Sequence, residues 1–252
     1  MNALTGRVAV VTGSSRGIGA AIATALAREG ASVAVHGRDA DAARTVLDRI
    51  TAAGGQGCAV IADVTRLGEL EALRESVERE LGPVDLLVAN AGGSPIRPGP
   101  LEDLTEQEWH ASIDGNLTAT FLTLKTFLPG MKQRGRGTIV TVSSAAARRP
   151  SGRSPIAYAA AKAGIELLTR DAADQAGPYG VRVNCVSPET IMTERNQRMI
   201  PDELRPTLID NHPIRRLGTP EDVAQAVLFL AADTSSWISG VVLDVAGGSV
   251  LA

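Results

Sequence analysis

The stretch that most constrains this chain is residues 7–26. A short apolar run, Val8, Ala9, Val10 and Val11, breaks into Thr12-Gly13-Ser14-Ser15-Arg16-Gly17-Ile18-Gly19. Ile18, Ala21, Ile22, Ala25 and Leu26 then follow at helical spacing. The pattern predicts a buried strand, a glycine turn and an amphipathic helix. Glycine lets a backbone turn sharply and approach a ligand without a Cβ in the way. The helix start offers unpaired N–H groups and the positive end of its dipole, so turn and helix together make a seat for a pyrophosphate. The spacing is Gly-x-x-x-Gly-x-Gly, not the Gly-x-Gly-x-x-Gly of the general dinucleotide fingerprint.

Further apolar runs at 31–35, 58–62, 85–89, 138–142, 181–186 and 241–245 alternate with amphipathic patterns. Continuous apolar strands are expected where both sheet faces are buried. The expected fold is α/β: a doubly wound parallel sheet of about seven strands with helices on both faces, a Rossmann fold. No internal repeat or linker interrupts it, so one domain is expected over residues 1–252. With 44% hydrophobic and 21% charged residues, that length can bury a substantial core. The net charge of −3 points to neither nucleic acid nor an anionic membrane. No apolar run approaches the ~20 residues of a membrane span, and the first residues lack signal-peptide order. Cys58 and Cys185 give no disulfide framework, so a cytoplasmic location is expected. No metal site is expected.

In such sheets ligands bind beyond the carboxyl ends of the strands. Asp63, Asn90, Ser144 and the pair Pro188-Glu189 each end an apolar run. Tyr158 and Lys162 are four apart, on one face of a helix that Ser154 is placed to cap. A tyrosine titrates near 10, and a neighbouring ammonium favours its phenolate. Lowering that value by ~2 units requires ~2.7 kcal/mol. Such a phenol would trade a proton with a carbonyl or alcohol oxygen near neutral pH. Ser144 could hydrogen-bond the same oxygen, and Asn116, on a long preceding helix, could position a water behind Lys162.

Taken in order, Thr12-Gly13-x-x-x-Gly17-Ile18-Gly19, Asp63-Val64, Asn90-Ala91-Gly92, Asn116, Ser143-Ser144, Tyr158-x-x-x-Lys162 and Asn184-x-x-x-Pro188 make the chain resemble the short-chain dehydrogenase/reductase family. The resemblance covers essentially the whole chain and implies a catalytic tetrad of Asn116, Ser144, Tyr158 and Lys162. Tyr158 would be the general acid/base, Ser144 would polarise the carbonyl, and Lys162 would bind the nicotinamide ribose and tune Tyr158. Asn116 would hold a relay water. Gly13, Ser15, Arg16, Gly17, Ile18 and Gly19 would cradle the phosphates. Asp63 and Val64 would contact adenine, and Asn90, Ala91 and Gly92 would border the ribose. Pro188, the backbone of Ile191 and the side chain of Thr193 would grip the nicotinamide end.

Three departures stand out. Glu189 occupies a place where the family usually has glycine, putting a carboxylate beside the expected nicotinamide or turning it to solvent. The interval from Ser144 to Tyr158 is one residue longer than the commonest spacing, which leaves room for Ser143 instead. The strand ending at Asn90 reads Ala89-Asn90-Ala91-Gly92 where Asn-Asn-Ala-Gly is commoner, a minor change.

An NAD enzyme of this architecture places an acid at the end of the second strand. Here that position is Gly37, followed by Arg38, with Arg16 close by in the glycine loop. Arginine attracts a 2′-phosphate that a carboxylate would repel, so NADP(H) is expected rather than NAD(H), with Asp39 as the complication. A lid is expected at about 189–216. Arg148, Arg149 and Arg153 cluster near Ser144, either to meet an anionic or carrier-bound substrate or as a solvated basic loop. The expected reaction moves a hydride between the nicotinamide and a ketone or secondary alcohol. A 3-oxoacyl-carrier-protein reductase and a non-catalytic NADP(H)-sensing module are the alternatives. Hydrolysis at Ser144 lacks a Gly-x-Ser-x-Gly elbow. The resemblance also implies a homotetramer or homodimer, built through the two long helices with the C-terminal strand at an interface.

Overall fold

A computed structural model describes residues 3–94, 96–150, 152 and 154–250. The first strand, β1 (Val8–Val11), is apolar throughout and buried on both faces. It leads through the glycine loop into α1 (Gly17–Arg28). The chain then alternates: β2 (Ser32–Gly37), α2 (Ala40–Ala52), β3 (Gln56–Ile61), α3 (Leu67–Glu80) and β4 (Leu86–Ala89). After β4 come α4 (Glu106–Ile113), α5 (Ala119–Arg134), β5 (Gly137–Val142), α6 (Ile156–Ala176) and β6 (Val181–Pro188). The short helices α7 (Glu194–Met199) and α8 (Arg205–Asp210) precede α9 (Pro220–Ala231) and β7 (Val242–Val245).

All seven strands run parallel in the order β3-β2-β1-β4-β5-β6-β7. Alternate residues of each strand therefore face opposite layers. Val11, Val35, Val88 and Val140 join Ile22 and Leu26 of α1, Val46 of α2 and Val227 of α9 in one apolar cluster. Val10, Ala34, Leu87 and Ile139 join Leu73 of α3, Phe127 of α5 and Ala176 of α6 in the other. The two edge strands are less covered, with β7 half-buried along its length and both ends of β3 exposed. Strand order reverses between β1 and β4, where Val11 pairs with Val88, so the two strands end level and their loops open a crevice.

The structure departs from the sequence reading in three places. The expected long helix before β5 is two helices joined by a π-helical turn, Asp114–Thr118, which carries Asn116. Ser154 does not cap α6; Pro155 takes the cap position with no side-chain bond. The polar segment 189–219 contains two helices too short for periodicity to reveal.

Leu87 is fully buried in β4 between α3 and α5. Leu87→Ala should lower unfolding free energy by ~2–5 kcal/mol, whereas Leu87→Met should cost under ~1.5 kcal/mol. Urea midpoints of the two variants at unchanged m-value check this.

Candidate active site

The crevice is floored by the glycine loop. Its residues 15–19 make no backbone N–H hydrogen bond among the described residues, the first such bond of α1 being Ala20 N–H to the Arg16 carbonyl at 3.3 Å. Arg16 is the cap residue of α1 but its side chain does not cap it, and the first turn holds no acid. Consecutive free amides at a helix start form an anion seat, which fits a dinucleotide pyrophosphate. Gly19 cannot carry a side chain, because a Cβ there would lie 2.3 Å from the Gly13 carbonyl oxygen and 2.6 Å from Asn90 Nδ2.

The loop's shape is held from two sides. Asn90 Nδ2 donates to the carbonyls of Thr12 (2.9 Å) and Gly13 (3.1 Å). Thr12 Oγ1 in turn accepts from the N–H groups of Asn90 and Ala91, each at 3.1 Å. On the other side Gly13 N–H donates to Nδ1 of buried His36 at 2.9 Å, while His36 Nε2 lies 3.0 Å from the Ala62 carbonyl. The ring therefore accepts at Nδ1 and donates from Nε2, the neutral tautomer, and its burial holds its pKa below the usual histidine value. Sequence reading assigned His36 nothing. The available signal was a polar residue one place before the end of an otherwise apolar strand.

Across the crevice, Ser144 caps a short turn, Ala145–Ala147, with Oγ accepting from Ala146 N–H at 3.3 Å. Ser143, the alternative serine, is engaged elsewhere. Its buried hydroxyl turns away, bonded to the Lys162 carbonyl (3.1 Å) and to Glu166 (3.0 Å). Tyr158 and Lys162 project from one face of α6, with Lys162 Nζ 5.5 Å from the Tyr158 ring centroid. Nζ donates to the Val142 carbonyl at 2.9 Å. Burial pushes the Lys162 pKa down to about 8. The Tyr158 phenol moves opposite to expectation. Desolvation raises its pKa, and a hydrogen bond with Ser144 and the charge of Arg195 only partly offset the rise. The lowering contributions come from Ser144 and Arg195 and not from Lys162.

Asn116 is wholly buried. Its Oδ1 accepts from Gly93 N–H (3.0 Å), and Nδ2 donates to the carbonyls of Gly93 (2.9 Å) and Ser112 (2.8 Å). The amide is thus fully used in fixing the loop after β4. Asp63, at the far end of the crevice, folds onto Thr65, accepting from its N–H (2.9 Å) and its hydroxyl (2.7 Å). These bonds hold its carboxyl below the usual range. Ile191 forms a bridge to Gly218, and Thr193 caps α7 with its methyl 3.3 Å from where a Gly17 Cβ would stand.

Of the basic residues near Ser144, Arg148 and Arg149 are taken up by other partners. Arg148 pairs with Asp244 and lies 3.4 Å from buried Glu166, while Arg149 donates to the Ser249 carbonyl at 2.7 Å. Arg153 lies outside the described residues. Glu166, one turn beyond Lys162, escaped the sequence reading, though its i+4 spacing on the catalytic face was the signal. Glu189 turns neither to a nicotinamide place nor to solvent but to the buried ring of His212. Among the described residues no cluster could hold a metal ion, and no helix is long and apolar enough to cross a membrane.

Comparison with known proteins agrees with this geometry. A family model described as Enoyl-(Acyl carrier protein) reductase matches residues 13–249. The 7alpha-hydroxysteroid dehydrogenase of Escherichia coli K12 is 38% identical over 247 residues, covering 98% of this chain and 95% of that protein. The cis-4-hydroxycyclohexanecarboxylate dehydrogenase of Sinomonas cyclohexanicum is 40% identical over 242 residues, 96% of each. A solved 7 alpha-hydroxysteroid dehydrogenase, complexed with NADH and 7-oxo glycochenodeoxycholic acid, superposes with a TM-score of 0.93 at 38% identity, covering 98% of this chain and 95% of that one. The chain belongs to the short-chain dehydrogenase/reductase family. It is an oxidoreductase that acts on CH–OH or C=O with a nicotinamide dinucleotide.

Lys162 provides a pH test that needs no substrate. Between about 8 and the ordinary 10.5 the unfolded chain holds a proton on this lysine that the folded chain has lost. Stability therefore rises with pH across that window, and the burial penalty is present in full below it. The stability advantage of Lys162→Met over the wild type should shrink by ~3 kcal/mol from pH 7.5 to 10.5. Parallel denaturation curves check it, and a gap independent of pH would contradict the buried ammonium.

Proposed function

We propose that this chain interconverts a ketone and a secondary alcohol with NADP(H), using Tyr158 as general acid/base. The observation that carries the reading is convergence. The Ser144 hydroxyl, the Tyr158 phenol and the Lys162 ammonium meet at the carboxyl ends of β5 and α6's first turns, beside an anion seat of free amides. The dinucleotide, when bound, supplies or takes the hydride. Residues 15–19 receive its pyrophosphate through their N–H groups, and Thr193, packed on Gly17, grips its nicotinamide end. Asp63 and Val64 border the adenine, and Asn90, Ala91 and Gly92 line the ribose. Lys162 binds the nicotinamide ribose. Ser144 holds the substrate oxygen, and Tyr158 gives it a proton in reduction or takes one in oxidation. With its side chain spent on Gly93 and Ser112, Asn116 serves the relay through its main chain, in a π-helical turn of the kind often found at functional sites.

The NADP(H) preference rests on Gly37. A Cβ there would lie 2.7 Å from Ser15 Oγ, so Ser15 fills the space a carboxylate would need. Asp39 is committed elsewhere. It caps α2 through Ala42 N–H and pairs with Arg16 at 2.8 Å. That pair is half-exposed, so it costs little to open toward a phosphate. Arg38 lies close enough to Asp63 to influence its carboxyl, on the same rim. The solved 7 alpha-hydroxysteroid dehydrogenase carries NADH, so the cofactor preference of this chain is the decisive measurement. The exposed faces of Phe121 and Leu167 on α5 and α6, with Trp237 and Val241 near β7, support self-association into a homodimer or homotetramer. Residues 189–216 serve as a substrate lid.

Tyr158→Phe should abolish turnover while leaving dinucleotide binding within about twofold, read by nicotinamide fluorescence. Because the phenol is held above its usual pKa, reduction should run well at neutral pH and alcohol oxidation should climb as pH rises. Wild-type kcat/KM should favour NADPH over NADH, and Arg16→Ala with Arg38→Ala should cut the NADPH value by about tenfold or more. An NADH preference in the wild type would defeat the cofactor assignment.

A further inference from the structure

We infer that Arg195 is a specificity residue that receives a carboxylate carried by the substrate, at the end away from the reacting carbon. The inference rests on the reading of the site as a carbonyl reductase and adds the chemistry of its second anchor point.

Three observations place this guanidinium over the crevice. Arg195 stands in the first turn of α7, the lid helix whose start is seated on Gly17 through Thr193. From there it reaches across to the loop after β4, where Nη2 donates to the Ser94 carbonyl at 3.0 Å and Nη1 comes within 3.6 Å of a Cβ position on Gly93. That loop is the one Asn116 holds rigid. The charge is also near enough to Tyr158 to stabilise its phenolate. The guanidinium therefore spans the crevice mouth, with the phenol beneath it.

Arg195 differs from Arg148 in carrying no acidic partner and from Arg149 and Lys162 in reaching across the crevice with a donor to spare. Arg148 is balanced by Asp244 and Glu166, Arg149 is bonded to the Ser249 carbonyl, and Lys162 to the Val142 carbonyl. Among the described residues no carboxylate lies within ion-pair distance of Arg195, and Nη1 makes no hydrogen bond. Its Nε has only the sulfur of Met199, at 3.4 Å, a weak acceptor. One planar fork with unused donors and a single positive charge matches a monoanionic carboxylate. The result is a substrate held at two points: its oxygen by Ser144 and Tyr158, its carboxylate by Arg195.

The test compares keto acids with their methyl esters, which keep the shape and remove the charge. A cyclic keto acid, an open-chain keto acid and an oxo-steroid acid, each with its ester, would be assayed with NADPH and NADH. Wild type should favour the acid form of its best ketone, and Arg195→Gln should lower kcat/KM for that acid by about ten- to a hundredfold, mainly through KM. The ester should change by no more than about twofold to threefold, and Arg195→Lys should recover part of the acid's rate. The acid-to-ester ratio separates charge recognition from lid posture, since a lid merely loosened from Ser94 would slow both forms alike. If ketones are reduced with no acid preference, or Arg195→Gln keeps that preference, the inference falls and the reductase reading stands. If no ketone is reduced with either dinucleotide, the reductase reading falls and this inference falls with it.

Discussion

A pair of neighbouring parallel strands ending level, with the chain departing in opposite directions, forces a crevice whose floor is unpaired backbone. Everything chemical in this protein depends on keeping that floor open. β1 and β4 meet the condition at Val11 and Val88. The loops after them would collapse onto each other's polar groups if nothing fixed them. Instead, side chains take over the hydrogen bonds that point inward: Asn90 satisfies two carbonyls of the glycine loop, Thr12 satisfies two amides beyond β4, and His36 satisfies the Gly13 amide. The amides of residues 15–19 are left pointing outward. An anion seat here is a consequence of satisfying every other donor first.

The opposite wall is built on buried charge. Lys162 and Glu166 are successive turns of α6, both almost wholly buried, and the Ser143 hydroxyl bridges them, within hydrogen-bond distance of the Lys162 carbonyl and of the Glu166 carboxylate. Glu166 then meets Arg148, and Arg148 meets Asp244 on β7. A buried charge is tolerable only when paired and hydrogen-bonded. The chain of contacts ties the Ser144 turn to α6 and to the last strand, so the serine and the phenol cannot drift apart independently. It also gives Arg148 a structural place in the wall. Arg148 neutralises acids inside the wall, and Arg149 is tied to the Ser249 carbonyl.

How much of this was legible beforehand follows from the range of the interactions involved. Alternating apolar runs encode burial on both faces, which is local, and they gave the seven parallel strands directly. The residues facing the crevice were also readable, because Tyr158 and Lys162 share a helix face and Ser144 ends a strand. What escaped was anything decided by a partner far along the chain. His36 meets Gly13 and Ala62, Glu166 meets Arg148, and Arg195 meets Ser94, a hundred and one positions earlier. The direction of the Tyr158 shift was misread for the same reason. Spacing shows that Lys162 is close, but only three-dimensional burial shows that the phenol is itself cut off from water, as the lysine also is.

Glu189 shows how a departure from the family pattern is absorbed. Where the family usually has glycine after Pro188, a side chain must find room, and it finds it under the lid. There Glu189 pairs with His212, whose other ring nitrogen lies 2.7 Å from the Leu208 carbonyl, while Thr190 Oγ1 donates to the second carboxylate oxygen at 2.9 Å. Thr190 sits at φ 24, the only positive φ outside glycine among the described residues. A β-branched residue in that region is strained, so the surrounding contacts must hold it there. The Glu189–His212 pair is the contact positioned to do so, because it joins the residue before Thr190 to the segment returning from α8. The segment 189–216 is thus tied near both its ends by a buried polar pair and linked to the loop after β4 by Arg195.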